Sequence, residues 1–221
     1  AEYGKSYESA PQDDDAHGRT WLVRGQNFIV AYSEAKPGAR FARTAQVDEY
    51  AVLMSDKDVV ARIAAGEETI EVPGNSLAFV PPGNRQISLP KGGRIVRLFS
   101  FRSEDLAARC SNAASYARPH PNIPAFKPWP APKGGYRIRS YDLDIKGGEG
   151  RFGRIFRSTN FMINCLEPRQ GPRDTSKLSP HHHDDFEQCS LALEGDFIHD
   201  IRWPWIPDMA AWRDDDHERC A

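Results

Sequence analysis

Three consecutive imidazoles, His181-His182-His183, are followed by Asp184, Asp185, Glu187 and Gln188, and then by the run Cys189 to Leu193 that leads to Gly195. Alternate side chains of a strand share a face, so His181 and His183 can point at one ion while His182 points away. One short bend later, Glu187 or Gln188 can complete a facial set of three ligands. Imidazole nitrogens with an oxygen donor suit a divalent transition metal, and Fe, Mn, Zn, Ni and Cu all satisfy that description. The competing reading is a solvated polar loop, for which Pro180 and Asp184-Asp185 are suitable turn residues. The ligand-like spacing and the apolar run that follows favour the metal.

The same region holds further candidates of lower information. Phe186, Phe197, Trp203, Trp205 and Trp212 can line a pocket for a small organic molecule, although such residues more often fill a core. Arg173 and Arg202 suit a substrate carboxylate, and a surface position explains them equally well. His199 shares a strand face with Phe197, Ile201 and Trp203 and reads as a half-buried, hydrogen-bonded histidine. His217, among Asp214, Asp215, Asp216 and Glu218, reads as part of a solvated acidic tail.

The elements that must position these groups are short strands. Punctuation by Gly, Pro and Asn predicts strands at 27–32, 49–54, 59–64, 68–72, 77–80, 85–89 and 94–101, enough to close a small antiparallel barrel. Ser103 to Cys110 reads as a helix with Ser103 as its cap. Between Arg118 and Lys133 six prolines rule out a central strand or a helix and suggest an extended connection. Strand character resumes at 136–143, 154–158, 160–166, 189–193 and 197–203, and Met209 to Trp212 reads as a short helix. Two β-rich halves of this kind suggest a weak internal repeat.

Composition bounds the function. The 221 residues are 39% hydrophobic and 27% charged, which is ordinary globular usage. A net charge of -2 offers nothing to a phosphate backbone, so no nucleic-acid partner is expected. No apolar run approaches the roughly 20 residues of a membrane helix. The polar, acidic stretch 1–15 is unlike a secretion signal. Cys110, Cys165, Cys189 and Cys220 form no CxxC pair, which fits reduced thiols and a cytoplasmic location.

The pattern resembles the cupin family. Its first motif, Gly-x5-His-x-His-x3-4-Glu-x6-Gly, is matched by His181-x-His183 and Gly195. Counting back from Gly195 gives Gln188 as the third ligand, and counting on from His183 gives Glu187; strand register from the glycine favours Gln188. In the first half Glu49 and the following strand are similar to the same motif, but Ala42 and Thr44 stand at the histidine positions. Pro81-Pro82-Gly83 echoes the second motif, with Gln86 at its histidine. The resemblance implies an all-β fold of tandem cupin jelly-roll barrels (double-stranded β-helices) with short helices. Residues 1–117 would form a barrel without metal ligands, 118–135 a connection, and 136–221 a second, incomplete barrel holding the metal. The histidine that usually completes a cupin site has no evident counterpart after Trp205. The implied function is a metal-dependent small-molecule enzyme of dioxygenase or isomerase/lyase type, or alternatively a non-catalytic binding or structural protein. Pairing into a homodimer is the implied assembly.

Overall fold

The computed structural model of the protein describes residues 2–146, 153–168, 170–202, 206–213 and 217–220. The chain divides into two compact units, Ala1–Glu167 and Pro168–Ala221.

In the first unit, strands run β1 (Asp13–Asp15), β2 (Gly18–Arg24), β3 (Phe28–Ala35), β4 (Ala39–Gln46), β5 (Tyr50–Met54), β6 (Val60–Ala65), β7 (Glu68–Pro73), β8 (Ser76–Val80), β9 (Gly83–Leu89) and β10 (Gly93–Ser100). After a short helix α1 (Glu104–Ala107) come β11 (Arg139–Asp142), β12 (Arg154–Arg157) and β13 (Met162–Cys165). One sheet has the order β1-β2-β3-β10-β5-β8-β11 and the facing sheet β4-β9-β6-β7, with antiparallel pairing in both. From β3 to β10 the chain switches sheets at every step but one (β6 to β7), so the orders β3-β10-β5-β8 and β4-β9-β6-β7 are those of a jelly roll. The seven strands predicted between 27 and 101 are all present, each within three residues of the expected ends. Strands β2 and β4 carry arginines among their apolar residues and were not predicted.

Strand alternation sorts the large sheet into two faces. Tyr50, Val52, Met54, Ala78, Val80, Ile95 and Phe99 face the small sheet and join Ile63, Ile87 and Leu89 in the main core. Ala51, Leu77 and Phe79 face outward, where Leu143 and Phe156 cover them. The segment after the barrel thus supplies a third layer. Its Pro-rich stretch runs without helix or strand, as expected, and is tied to the barrel: Asn27 Nδ2 donates to the Pro124 carbonyl at 2.9 Å, and Trp129 N–H donates to the Thr159 carbonyl at 2.8 Å. It lies inside the first unit, whose boundary falls after Glu167.

A β-bulge decides which side chains enter the barrel. Strand β4 pairs Arg43 with Arg85, then skips to Gln46 with Gly83, and Ala45 adopts φ +51°. Before the bulge odd-numbered residues face inward; after it even-numbered ones do. The Ala45 N–H donates to Asn84 Oδ1 at 2.8 Å, which holds the distortion.

The second unit, Pro168–Ala221, has little regular structure among its described residues. Among them the regular backbone is the antiparallel pair β14 (His199–Arg202) and β15 (His217–Cys220), with a 3-10 turn at Met209–Ala211 capped by Asp208. The 179–198 stretch holds no strand. The predicted strand 189–193 is therefore absent, and that at 197–203 survives as β14. Among the described residues, its apolar side chains Leu191, Phe197 and Ile198 are exposed, so no core rewards the alternating pattern.

Candidate functional site

The His cluster is placed on irregular backbone rather than on a strand. His181 and His183 remain close, with ring centres 5.2 Å apart and edge to face. Two imidazoles on one ion, each with a metal–nitrogen bond of about 2.0–2.1 Å, would have centres at a similar separation. Among the described residues, no three His, Cys, Asp or Glu side chains come together to hold a metal. Glu187 is half-buried and Gln188 exposed. His183 stacks on Phe186 at 4.0 Å, His181 Nδ1 lies 2.9 Å from the Ser179 carbonyl oxygen, and His182 contacts Asp184. The arrangement brings the two imidazoles together and gathers no third His, Cys, Asp or Glu among the described residues. His199 is partnered, 2.8 Å from Ser190 Oγ, but in an exposed setting. Phe186 and Phe197 are exposed, and Trp203 and Trp205 lie outside the described residues.

The barrel interior presents different chemistry. The residues aligned with cupin ligands in the first half are each one position out of register. Ala42, Thr44 and Gln86 are exposed on the outer side of the small sheet, while Phe41, Arg43 and Arg85 point inward beside them. Glu49 faces the outer layer, and the inward carboxylate is Asp48. The physical reason is the period of two: a one-residue offset moves every side chain to the opposite face.

Three guanidinium groups consequently face the interior. Arg43 is held bidentately by Asp105 of α1, at 2.6 and 2.9 Å, and its Nε donates to Gln46 Oε1 at 2.8 Å. Gln46 continues to Ser103 Oγ at 2.9 Å, so Ser103 serves this network rather than capping α1 through its side chain. Asp48 accepts from Ser100 Oγ at 2.5 Å. Arg85 donates to the carbonyls of Pro81, Pro82 and Asn84, in a turn that Gly83 permits at φ +107°.

Arg97 is the exceptional member. It lies between Ile95 and Phe99 on the inner face of β10, is only 8% exposed, and packs over the Phe41 ring at 4.0 Å. One Nη donates to Ser33 Oγ at 3.0 Å, but among the described residues its buried Nε has no hydrogen-bond partner. Burial pushes this guanidinium down to about 10, which leaves it charged at neutral pH. Tyr50 is fully buried, stacks on Phe99 at 4.8 Å, and its hydroxyl also lacks a partner among the described residues. Desolvation pushes the phenol up to about 12 against the opposing influence of Arg97, Arg43 and Arg85, so it stays a neutral donor. Sequence reading placed both residues correctly on strands but gave them no role. The available signal was an arginine inside the apolar run Ile95-Val96-Arg97-Leu98-Phe99.

Strand order and inward residues together define a jelly-roll protein with a basic barrel interior. No family model matches the chain, and no curated protein matches it. Solved structures similar to it include an RmlC-like cupin from Shewanella frigidimarina, 14% identical over 48% of this chain and 95% of that one, with a TM-score of 0.41. KdgF from Halomonas sp. is 11% identical over 47% and 98% of the two chains, also with a TM-score of 0.41. A mutant of Bacillus subtilis oxalate decarboxylase is 18% identical over 40% of this chain, which spans 26% of that protein, with a TM-score of 0.33. The architecture stated above rests on this chain's own strand order. No helix among the described residues is long and apolar enough to cross a membrane.

Proposed function

We propose that this protein is a cupin-type binder of a small anion, most simply a carboxylate, taken into the barrel interior by Arg97 and Tyr50. The observation that carries the reading is the pair of buried, unpartnered donors, Arg97 Nε and the Tyr50 hydroxyl. A buried donor without an acceptor is costly, and a buried unpaired charge more so. An anion supplies both needs at once: acceptor oxygens for the two donors and a counter-charge for a guanidinium that has only a serine hydroxyl. Arg85, bonded to neutral carbonyls, adds positive potential, whereas Asp105 balances Arg43; the hydrogen bonds of both fix them in place beforehand, which lowers the ordering cost of binding. The geometry thus favours the non-catalytic alternative.

The test is calorimetric titration of the full chain with succinate and with inorganic phosphate, beside Arg97→Met. Saturable binding that is lost in the variant supports the reading, and the tighter probe tells carboxylate from phosphate. Binding that survives Arg97→Met, or no binding of either probe, overturns it.

The metal-dependent reading retains one supporting observation, the spacing of the His181 and His183 rings, with Gln188 or Glu187 as the third ligand. Elemental mass spectrometry of the purified chain beside a His181→Ala/His183→Ala variant decides it. Near-stoichiometric transition metal that is lost in the variant supports a centre, and equal trace content in both removes it. Homodimer formation is tested by light scattering.

A further inference from the structure

A basic cleft lies on the outer layer of the first unit, separate from the barrel interior. Its volume is about 290 Å³, and Trp129, Pro130, Pro132, Arg139, Arg157 and Thr159 line it. The cleft exists because the Pro-rich stretch, unable to join a sheet, is pinned at Trp129 N–H to the Thr159 carbonyl and stands off from β11 and β12.

Its two arginines are in different electrostatic states. Arg139 is compensated: Glu49, wholly buried, accepts from Arg139 Nη2 at 2.5 Å, from the Thr159 N–H at 3.0 Å and from Thr159 Oγ1 at 3.2 Å. That carboxylate has no charge left to offer elsewhere. Arg139 Nε is nevertheless buried without a partner among the described residues. Arg157 is uncompensated. Its guanidinium lies 4.2 Å from the Trp129 ring, and among the described residues it has neither a carboxylate nor a hydrogen-bond acceptor. Among the described residues the cleft therefore carries one net positive charge, a buried donor without an acceptor, and an apolar wall made of an indole and two prolines.

We infer that this cleft is a second ligand site, selective for a carboxylate attached to a flat apolar group. The carboxylate would meet Arg157 in the bidentate geometry that guanidinium favours. The apolar body would lie against Trp129 and the two prolines, where rigid rings offer contact area at little entropic cost. A volume near 300 Å³ matches the lower end of small-molecule pockets, which suits a single-ring acid. The inference does not depend on the interior site, since the two share no residue.

The experiment titrates benzoate, inorganic phosphate and benzyl alcohol separately into the full chain. It is repeated with Arg157→Gln, Trp129→Leu and Arg97→Met. Arg157 is exposed, so its replacement leaves the fold intact, and hydrogen-exchange protection of β12 checks this. Benzoate should bind at a site that weakens about tenfold or more in Arg157→Gln. It should also weaken in Trp129→Leu and be unchanged in Arg97→Met. Phosphate and benzyl alcohol, each lacking half of the recognition, should bind more weakly. Unchanged benzoate affinity in Arg157→Gln overturns the inference, as does phosphate binding to Arg97→Met as tightly as benzoate does. Loss of the benzoate site in Arg97→Met would assign the binding to the barrel interior instead.

Discussion

Replacing Tyr50 with phenylalanine should make the ligand-free protein more stable and the ligand-bound protein less so. The ring is fully buried and stacked on Phe99 at 4.8 Å, and phenylalanine keeps both features. Only the hydroxyl disappears, and it has no partner among the described residues. Leaving such a group desolvated costs about 1–3 kcal/mol, so Tyr50→Phe should gain stability of that order. For a chain of this size each kcal/mol corresponds to roughly 2–4 °C in Tm. The same hydroxyl, donating to a bound carboxylate, is worth about 1.5–3 kcal/mol, so affinity should fall by at least about tenfold. At a ligand concentration of about 100 Kd, wild type would gain about 2.7 kcal/mol, and a tenfold weaker variant about 1.4 kcal/mol. Thermal melts with and without succinate read all of these quantities. An unliganded variant that is less stable than wild type by about 1 kcal/mol would show that the hydroxyl is already satisfied, and the argument for an interior ligand would fail with it. So would an unchanged succinate-induced shift.

Glu49→Ala removes the acceptor shared by Arg139 and Thr159 and strands a partly buried guanidinium. It should cost about 3 kcal/mol or more and accelerate hydrogen exchange at the Thr159 amide; unchanged exchange there would show that the outer layer is held otherwise. Arg94 holds the Asp56 carboxyl, and Arg43 the Asp105 carboxyl, below the usual carboxylate range. Depressed folded-state values mean that this stabilisation is fully present above about pH 4 and is lost as pH falls through the folded values. Urea midpoints should therefore decline on acidification below about pH 4, and Asp105→Asn should flatten part of that decline. Burial pushes the Cys110 thiol up to about 11, and it lies 3.4 Å from the Leu106 carbonyl. It should resist iodoacetamide at pH 8 in the native protein and react once urea unfolds it; rapid native labelling would contradict its burial.

Much of the barrel was legible because its signals are local. Turn residues such as Pro37-Gly38, Pro73-Gly74 and Pro81-Pro82-Gly83, with β-branched and aromatic runs between them, place β3 and β5 to β10 without any knowledge of partners. The jelly-roll class follows from that strand count together with the resemblance. Strand β4 was illegible because Arg40 and Arg43 break its apolar pattern, and the charge of Arg43 makes sense only against Asp105, which lies sixty-two residues on. The His181–Gly195 stretch shows the converse. Its motif-like spacing is real in the sequence, yet alternation yields a strand only where a sheet edge accepts it, and this stretch forms no such pairing.

The sequence by itself determined the all-β class, the positions of most barrel strands, the Pro-rich segment as extended chain, and the residue types available for chemistry. The tertiary structure alone decided which of those residues face a common space. A bulge at Ala45 changes the parity of the chain, so Arg43, Asp48 and Tyr50 face inward while Glu49 turns to the outer layer. That parity is fixed by pairing with Arg85 and Gly83, about forty residues away, and by burial against the opposing sheet. Side-chain chemistry is written residue by residue, but orientation on a sheet is a property of the pairing.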